Sequence, residues 1–275
     1  MRITEQDVKN FAAQLRSEEK ASATIEKYRR EAAYFVAWLD GREAERAAAQ
    51  DYKEALAQTR APAGLNGAVA ALNCLFDFLG LRSCRLKAVR IQRRMFRDEA
   101  RELTEKEYRR LLSAAKGNER LLLVMETICA TGIRVSELTF FTVEAARLGR
   151  AEVRNKGKTR TVFLPAKLQK ALLRYAKARR ITAGPLFVTR TGRPLDRSNI
   201  WHEMKSLCAR TNVAESKVFP HNLRHLFART FYGLEKDIVR LADILGHSSV
   251  NTTRIYTMES GETHRRQLEK MKLVI

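Results

Sequence analysis

The chain has 275 residues, 45% hydrophobic and 30% charged, a balance that fits one large or two ordinary globular domains and argues against disorder. Lys and Arg number 52 against 31 Asp and Glu, a formal charge of +21, far beyond what solubility needs, so a polyanionic partner is expected and nucleic acid leads. The longest uncharged run, Ala61 to Phe76, has 16 residues and includes Pro62, Gly64 and Gly67; a membrane span needs about 18 to 20 apolar residues.

Glu5 and Asp7 stand where an export signal would be cationic and then apolar, so a cytoplasmic, nucleoid-associated location is expected. The four cysteines, Cys74, Cys84, Cys129 and Cys208, form no CxxC pair and read as small core residues of a reducing compartment.

Thr4 is the natural N-cap of a first helix with Val8, Phe11 and Leu15 on one face. Ser22 or Thr24 opens a second, with Ile25, Tyr28, Ala32, Phe35 and Leu39 at helical spacing and Gly41 as its stop. Ala44 to Thr59 forms a third, more polar helix, and a fourth turns Val69, Leu72, Phe76 and Leu79 inward before Gly80. Arg82 to Arg97 follows, with seven basic residues and no acidic one. This stretch is expected to connect two domains and to lie along phosphates through Arg82, Arg85, Lys87, Arg90, Arg93 and Arg94. The expected division is a helical domain over 1–92, a basic linker over 93–103 and a second domain over 104–275.

Thr104 and Glu107 make a capping box that starts the second domain. An apolar helix from Leu121 to Ala130 ends at Gly132, and another opens near Ile133. The segment "RAEVRNKGKTRTVFLP" alternates, turns at Lys156-Gly157 and alternates again, as a short hairpin does. The rest reads as helix, with a loop from Thr189 to Ser198. The fold class is therefore mainly α, the second domain being mixed α/β with a small antiparallel sheet.

Four places carry unusual side chains. In "ATGIRVSEL", Arg134 follows the break at Gly132, and Glu137 three residues on can orient its guanidinium. At the hairpin tip Lys156 and Lys158 flank Gly157, with Arg160 on the returning strand; a tip lysine can approach a phosphate and, unlike arginine, can release a proton. In "FPHNLRH", Pro220 starts a helix whose first turn presents His221 and Arg224 on one face, a seat for a phosphate. His221 and His225 at i, i+4 could also pair on a metal, but neither HExxH nor a carboxylate set accompanies them. In "LGHSSVNTTRIYT", Gly246 ends one helix, Ser248 or Ser249 caps the next, and His247 precedes Tyr256 by nine. One continuous helix would hold those two roughly 13.5 Å apart, whereas a turn at Gly246 lets His247 fold back. Ile255 suggests a buried face on the helix that carries Tyr256. Two arginines, a lysine, two histidines and a tyrosine, without paired carboxylates for magnesium, suit a phosphoryl transfer in which the protein supplies the positive charge.

Together these residues resemble the tyrosine recombinases, the phage-integrase family, in their two-domain, Xer-like form. The family's motifs are an Arg with Glu three later, a hairpin Lys, His-x-x-Arg, a His in an "LGH" turn and a Tyr nine later. The corresponding residues are Arg134 with Glu137, Lys156, His221 with Arg224, His247 and Tyr256. The likeness covers about residues 103 to 260; the helical first domain matches the family's core-binding domain in position and length only. The hairpin tip is shorter than is usual in the family, so Lys156 aligns best and Lys158 remains the alternative. With so few residues ahead of Thr4, the two-domain form without an additional arm-binding domain is expected.

The resemblance implies a site-specific recombinase acting on duplex DNA with inverted-repeat sites, as a monomer in free solution and a homotetramer on synapsed DNA, without metal or ATP. Arg134, Arg224 and His247 would bind the scissile phosphate, Glu137 would orient Arg134, and Tyr256 would attack to give a 3′-phosphotyrosyl link. Lys156 would protonate the leaving 5′ oxygen, and the cations with His221 would help Tyr256 lose its proton. Lys158 and Arg160, with the basic linker, would contact DNA. The terminal "THRRQLEKMKLVI" places Leu268, Met271 and Ile275 at helical spacing beside Leu273 and Val274, a helix that would dock on a neighbouring protomer. A type IB topoisomerase, a non-catalytic DNA-binding protein and a metal nuclease are the competing readings.

Overall fold

A computed structural model describes residues 1–92, 98–155, 157–189, 191–258 and 261–271. The chain divides into two compact units, Met1–Arg93 and Arg94–Ile275. It is mainly helical, with one two-stranded antiparallel sheet among the described residues. No helix there is long and apolar enough to cross a membrane.

The first unit holds α1 (Glu5–Ser17), α2 (Ser22–Leu39), α3 (Arg46–Thr59) and α4 (Pro62–Phe78). Thr4 caps α1 reciprocally: its hydroxyl accepts from the Asp7 amide, and the Asp7 carboxylate accepts from the Thr4 amide at 2.8 Å. Ala21 precedes α2 without a side-chain cap, and the helix ends at Asp40 in the left-handed region rather than at Gly41. The apolar faces converge on Phe35, whose ring centroid lies 5.1 Å from that of Tyr52 and 5.6 Å from that of Phe76. Phe11, Leu15, Leu72 and Leu75 are buried around it. Each such side chain removed from water contributes roughly 1.5–3 kcal/mol, which is what holds four helices of modest length together.

The basic stretch expected as a free connection is partly built into this unit. Cys84 and Leu86 belong to its core. The Asn73 side chain exchanges two hydrogen bonds of 2.8 and 2.9 Å with the Leu86 backbone, and Asn66 does the same with Val89. Two asparagines on α4 thus imitate a strand edge and tie residues 86–89 down. Arg82, Arg85, Lys87 and Arg90 remain exposed on that strap, with Arg85 paired to Asp77 at 2.6 Å. Arg93 and Arg94 lie outside the described residues.

The second unit starts earlier than the expected boundary at 104. Leu103 is fully buried, its carbonyl accepts from Arg229 at 2.7 Å, and the Arg101 carbonyl accepts from Asn222 at 2.8 Å. Residues 101–103 are held by the helix that carries Arg224 and are not linker. Beyond them run α5 (Glu105–Ala114), α6 (Glu119–Thr131) and α7 (Val143–Leu148), then β1 (Arg150–Asn155), β2 (Lys158–Phe163) and α8 (Ala166–Ala178). After the 189–196 loop come α9 (Arg197–Lys205), α10 (Pro220–Glu235), α11 (Ile238–Leu245), α12 (Val250–Thr253) and α13 (Gly261–Met271). Thr104 and Glu107 form the expected capping box on α5. The helix expected after Ile133 is a 3-10 turn, Val135–Phe140. β1 and β2 pair antiparallel from Arg150 opposite Phe163 to Asn155 opposite Lys158, as expected of a hairpin. α6 runs through the middle of this unit, packed on α8, α9 and α10. Its apolar residues Leu123, Met125 and Ile128 are buried with Phe141, Leu172 and Phe187.

Cys84 and Cys208 are buried, Cys74 and Cys129 half-buried, and all four are free thiols.

Candidate active site

Two glycines create the site's backbone. Gly132 ends α6 at φ +66°, and a Cβ there would collide with the Phe227 ring on α10, so the two helices approach as closely as they do only over glycine. Gly246 ends α11 at φ +63°, where a Cβ would stand 3.0 Å from the Arg160 side chain. Each turn leaves C-terminal carbonyls facing inward, and buried carbonyls need donors.

Arginines supply them. Arg224, one turn into α10, is 1% exposed; its Nη1 donates to the Gly132 carbonyl at 2.6 Å and its Nη2 to the Leu245 carbonyl at 2.8 Å. The same Nη2 lies 3.0 Å from His247 Nε2. A guanidinium only donates, so Nε2 accepts, and the ring proton sits on Nδ1, 2.8 Å from the Thr253 hydroxyl. Thr253 is fully buried. The Arg224 Nε is buried with no hydrogen-bond partner.

Arg134 reaches the same turn from the opposite side. Its Nη1 donates to Glu137 at 3.1 Å, and longer contacts of 3.4 and 3.3 Å run to the Leu245 and Gly246 carbonyls. Glu137, 1% exposed, also receives both Nη groups of Arg160 at 2.8 and 2.9 Å. Arg160, expected among the DNA contacts, lines the same cleft as Arg134 and also bonds within the protein: its Nε donates to the Ile244 carbonyl at 3.0 Å. A buried carboxylate draws the nearest fork-shaped cation to itself, and strand β2 delivers Arg160 there. Burial works to raise the Glu137 pKa, but Arg160 and Arg134 outweigh it and hold it at about 2.

Tyr256 sits in a 3-10 turn after the four-residue α12, which Ser249 caps. It is 6% exposed and packs in a small cluster with Ala228, Leu241 and Leu245. Ile255, expected on a buried face, is 45% exposed, because the chain leaves the helical repeat between Thr253 and Tyr256. The Tyr256 ring stacks near-parallel on His247, centroids 6.4 Å apart, and meets His225 edge-on at 5.1 Å. His225 in turn contacts His221 at 4.4 Å. His225 and Thr253 complete the surroundings of Tyr256 and His247. The i, i+4 spacing from His221 and the position three before Tyr256 were the only signals of them in the sequence.

Burial raises the Tyr256 phenol above its ordinary value despite Arg224, Arg134 and Arg229 nearby, so the tyrosine is protonated in the DNA-free chain. Burial and then Arg224 push His247 down to about 4, and burial and then His221 push His225 to about 3. Arg224 falls to about 10, chiefly from burial, and keeps its charge. Arg134, His247 and the exposed Lys158 line one cleft of about 370 Å³. Lys156 lies outside the described residues. No group of three or more His, Cys, Asp or Glu side chains among the described residues is arranged to hold a metal.

Residues 101–262 match the phage integrase family. The chain belongs to that family. Kinship extends over nearly its whole length: it is 32% identical to the tyrosine recombinase XerD of Xanthomonas campestris pv. campestris across 92% of this chain and 88% of that one. A crystal structure of XerA recombinase is 26% identical, with a TM-score of 0.54 over 99% of this chain and 100% of the other. A lambda integrase tetramer bound to a Holliday junction, 16% identical, shares the fold at a TM-score of 0.73, covering 91% and 76% of the two chains. This recombinase is therefore a tyrosine-type site-specific DNA recombinase.

The two low histidine values carry a sign. His225 and His247 lie below the ordinary 6.5 when folded, so the unfolded chain takes up protons first. Their neutral burial supports the fold fully above about pH 6.5, and that support is lost as pH falls toward the folded values. Imidazole resonances of the DNA-free protein are expected to show both rings neutral at pH 6. Unfolding free energy should decline between pH 6.5 and 4, less steeply in His225→Phe. A protonated His247 at pH 6 would contradict this electrostatic picture.

Proposed function

We propose that the recombinase cuts and rejoins duplex DNA by transesterification at Tyr256, without metal or ATP. The observation that carries this reading is the convergence of Arg134, Arg224, His247 and Tyr256, from four separate segments, on the turn at Gly246. The Tyr256 oxygen attacks the scissile phosphorus, forming a 3′-phosphotyrosyl bond as the bond to the 5′ oxygen breaks. Lys156 gives that oxygen its proton, and His221 helps to draw off the phenol proton. Arg134 and Arg224 meet the charge that grows on the non-bridging oxygens. In the free chain Nε2 of His247 is committed to Arg224. A phosphate arriving there takes over the Arg224 N–H and favours a proton on Nε2, which turns His247 from acceptor to donor. Arg224 and Tyr256 are 1% and 6% exposed, so the 246–256 segment must shift for the phenol to meet phosphorus. Rejoining to a different 5′ hydroxyl completes recombination; the phosphodiester energy is kept in the protein link.

On a nicked suicide duplex carrying its site, the wild-type chain is expected to form an SDS-resistant adduct, with or without EDTA. Tyr256→Phe should bind that duplex and form none. An adduct that persists in Tyr256→Phe would remove this tyrosine from the role.

The acid is tested separately. Lys156→Ala is expected to cleave slowly at a normal 5′-oxygen bridge and to recover on a 5′-sulfur bridge, whose thiolate leaves without a proton. Recovery in Lys158→Ala but not in Lys156→Ala would move the assignment across the short tip.

The proposed partners are duplex DNA with an inverted-repeat site and, on two such sites, three further copies of this chain. The exposed Arg82, Arg85, Lys87, Arg90 and Lys158, together with Arg93 and Arg94, follow the backbone of that DNA. Helix α13 exposes Leu268 and Met271 by 54% and 55%, a surface suited to a neighbouring protomer; Leu273, Val274 and Ile275 lie outside the described residues. Contacts passed head to tail close into a ring only when the rotation does, so DNA sets the tetramer. Deleting residues 265–275 should spare binding to a single site and abolish pairing of two duplexes. Wild-type pairing by the truncated chain would show that the tail is not the connector.

A further inference from the structure

Glu137 presents two oxygens to two arginines, and the sharing is unequal. Arg160 takes both, Nη1 to Oε1 at 2.8 Å and Nη2 to Oε2 at 2.9 Å. Arg134 reaches only Oε1 with its side chain, at 3.1 Å, while its backbone amide donates to Oε2 at 2.8 Å. A carboxylate and a guanidinium left together adopt the two-pronged pairing that Arg160 has, because two parallel charge-assisted bonds are better than one. Arg134 stands three residues from Glu137, close enough to make it. What prevents it is Arg160. That guanidinium is fixed from a third side by the Ile244 carbonyl at 3.0 Å, and its side chain is 15% exposed against 31% for Arg134. Arg160 thus gives three donors to protein acceptors, while Arg134, beyond its one side-chain bond to Glu137, makes only long contacts to the Leu245 and Gly246 carbonyls, 3.4 and 3.3 Å, near the limit of a hydrogen bond. These are contacts a phosphate can replace.

We infer that Arg160 is a positioning residue: by holding both oxygens of Glu137 it keeps that carboxylate from closing a two-pronged grip on Arg134, and so leaves the Arg134 guanidinium free to bind the scissile phosphate. The inference rests on the phosphate-binding role proposed for Arg134. It also accounts for Gly246, where any side chain would press on Arg160.

Adduct formation on the suicide duplex is compared at saturating DNA for the wild type, Arg160→Ala and Arg160→Lys, each shown to be folded by its thermal transition. Arg160→Ala should slow adduct formation by about tenfold or more, as loss of a supporting partner commonly does, with the half-saturating DNA concentration changed by less than about threefold. Arg160→Lys should be slow as well, because a point charge cannot hold both oxygens. Wild-type rates in Arg160→Lys, or weaker DNA binding with unchanged cleavage of bound DNA in Arg160→Ala, would overturn the proposal. If the wild-type chain forms no adduct, the reading of Tyr256 fails on its own account. The crystal structure of DNA-free Arg160→Ala then decides: Glu137 turned with both oxygens on Arg134 is expected, and an unmoved carboxylate refutes the inference.

Discussion

A carboxylate withdrawn from water costs several kcal/mol unless charge and hydrogen bonds replace the solvent, and Glu137 is among the most buried groups of the second unit. Its replacement solvent is two guanidiniums and one backbone amide. Those donors come from the turn after α6 and from the returning strand of the hairpin, and the same arginines hold the last carbonyls of α11. Three pieces of chain are thus drawn to one charge, and cations that would otherwise repel one another are kept close together.

The carbonyls matter as much as the charge. Helices α6 and α11 both end in left-handed glycines, and each end leaves peptide oxygens that need donors. Arg224 satisfies one from each helix, acting as the clip between two helix C-termini, where a cation is also favoured by the helix dipole. A buried arginine normally needs a carboxylate. Here peptide dipoles take that part, and the guanidinium keeps an unpartnered Nε and a full charge that no acid neutralises. A site built in this way is electrically incomplete until an anion enters.

Tyr256 shows how packing restrains chemistry. Its ring is held between His247 and His225, and burial keeps the phenol protonated although three arginines lie near enough to oppose that. The neutral histidines follow the same rule: in a crowd of cations, a second positive charge out of water is unfavourable. The DNA-free chain therefore holds Tyr256 covered and uncharged.

Much of this was legible in the sequence where local physics suffices. The capping box Thr104–Glu107, the stops at Gly132 and Gly246, the hairpin and the apolar faces of α1, α2 and α6 all follow from spacing and turn chemistry, because those interactions span only a few residues. The same holds for the order of Arg134, Glu137, His221, Arg224, His247 and Tyr256, which marks the family. What the sequence could not disclose depended on distant partners. Arg160 reads as one more basic residue on a hairpin until β2 is laid against Glu137, 23 positions away. Residues 86–89 read as a free arm until Asn66 and Asn73 accept and return their backbone bonds. Ile255 reads as buried until the helix breaks before it. Local spacing determined which elements form and which side chains they carry; only the tertiary structure decided which cations bond to acceptors inside the protein and how fully, because that choice belongs to whichever acceptor the folded chain brings nearest.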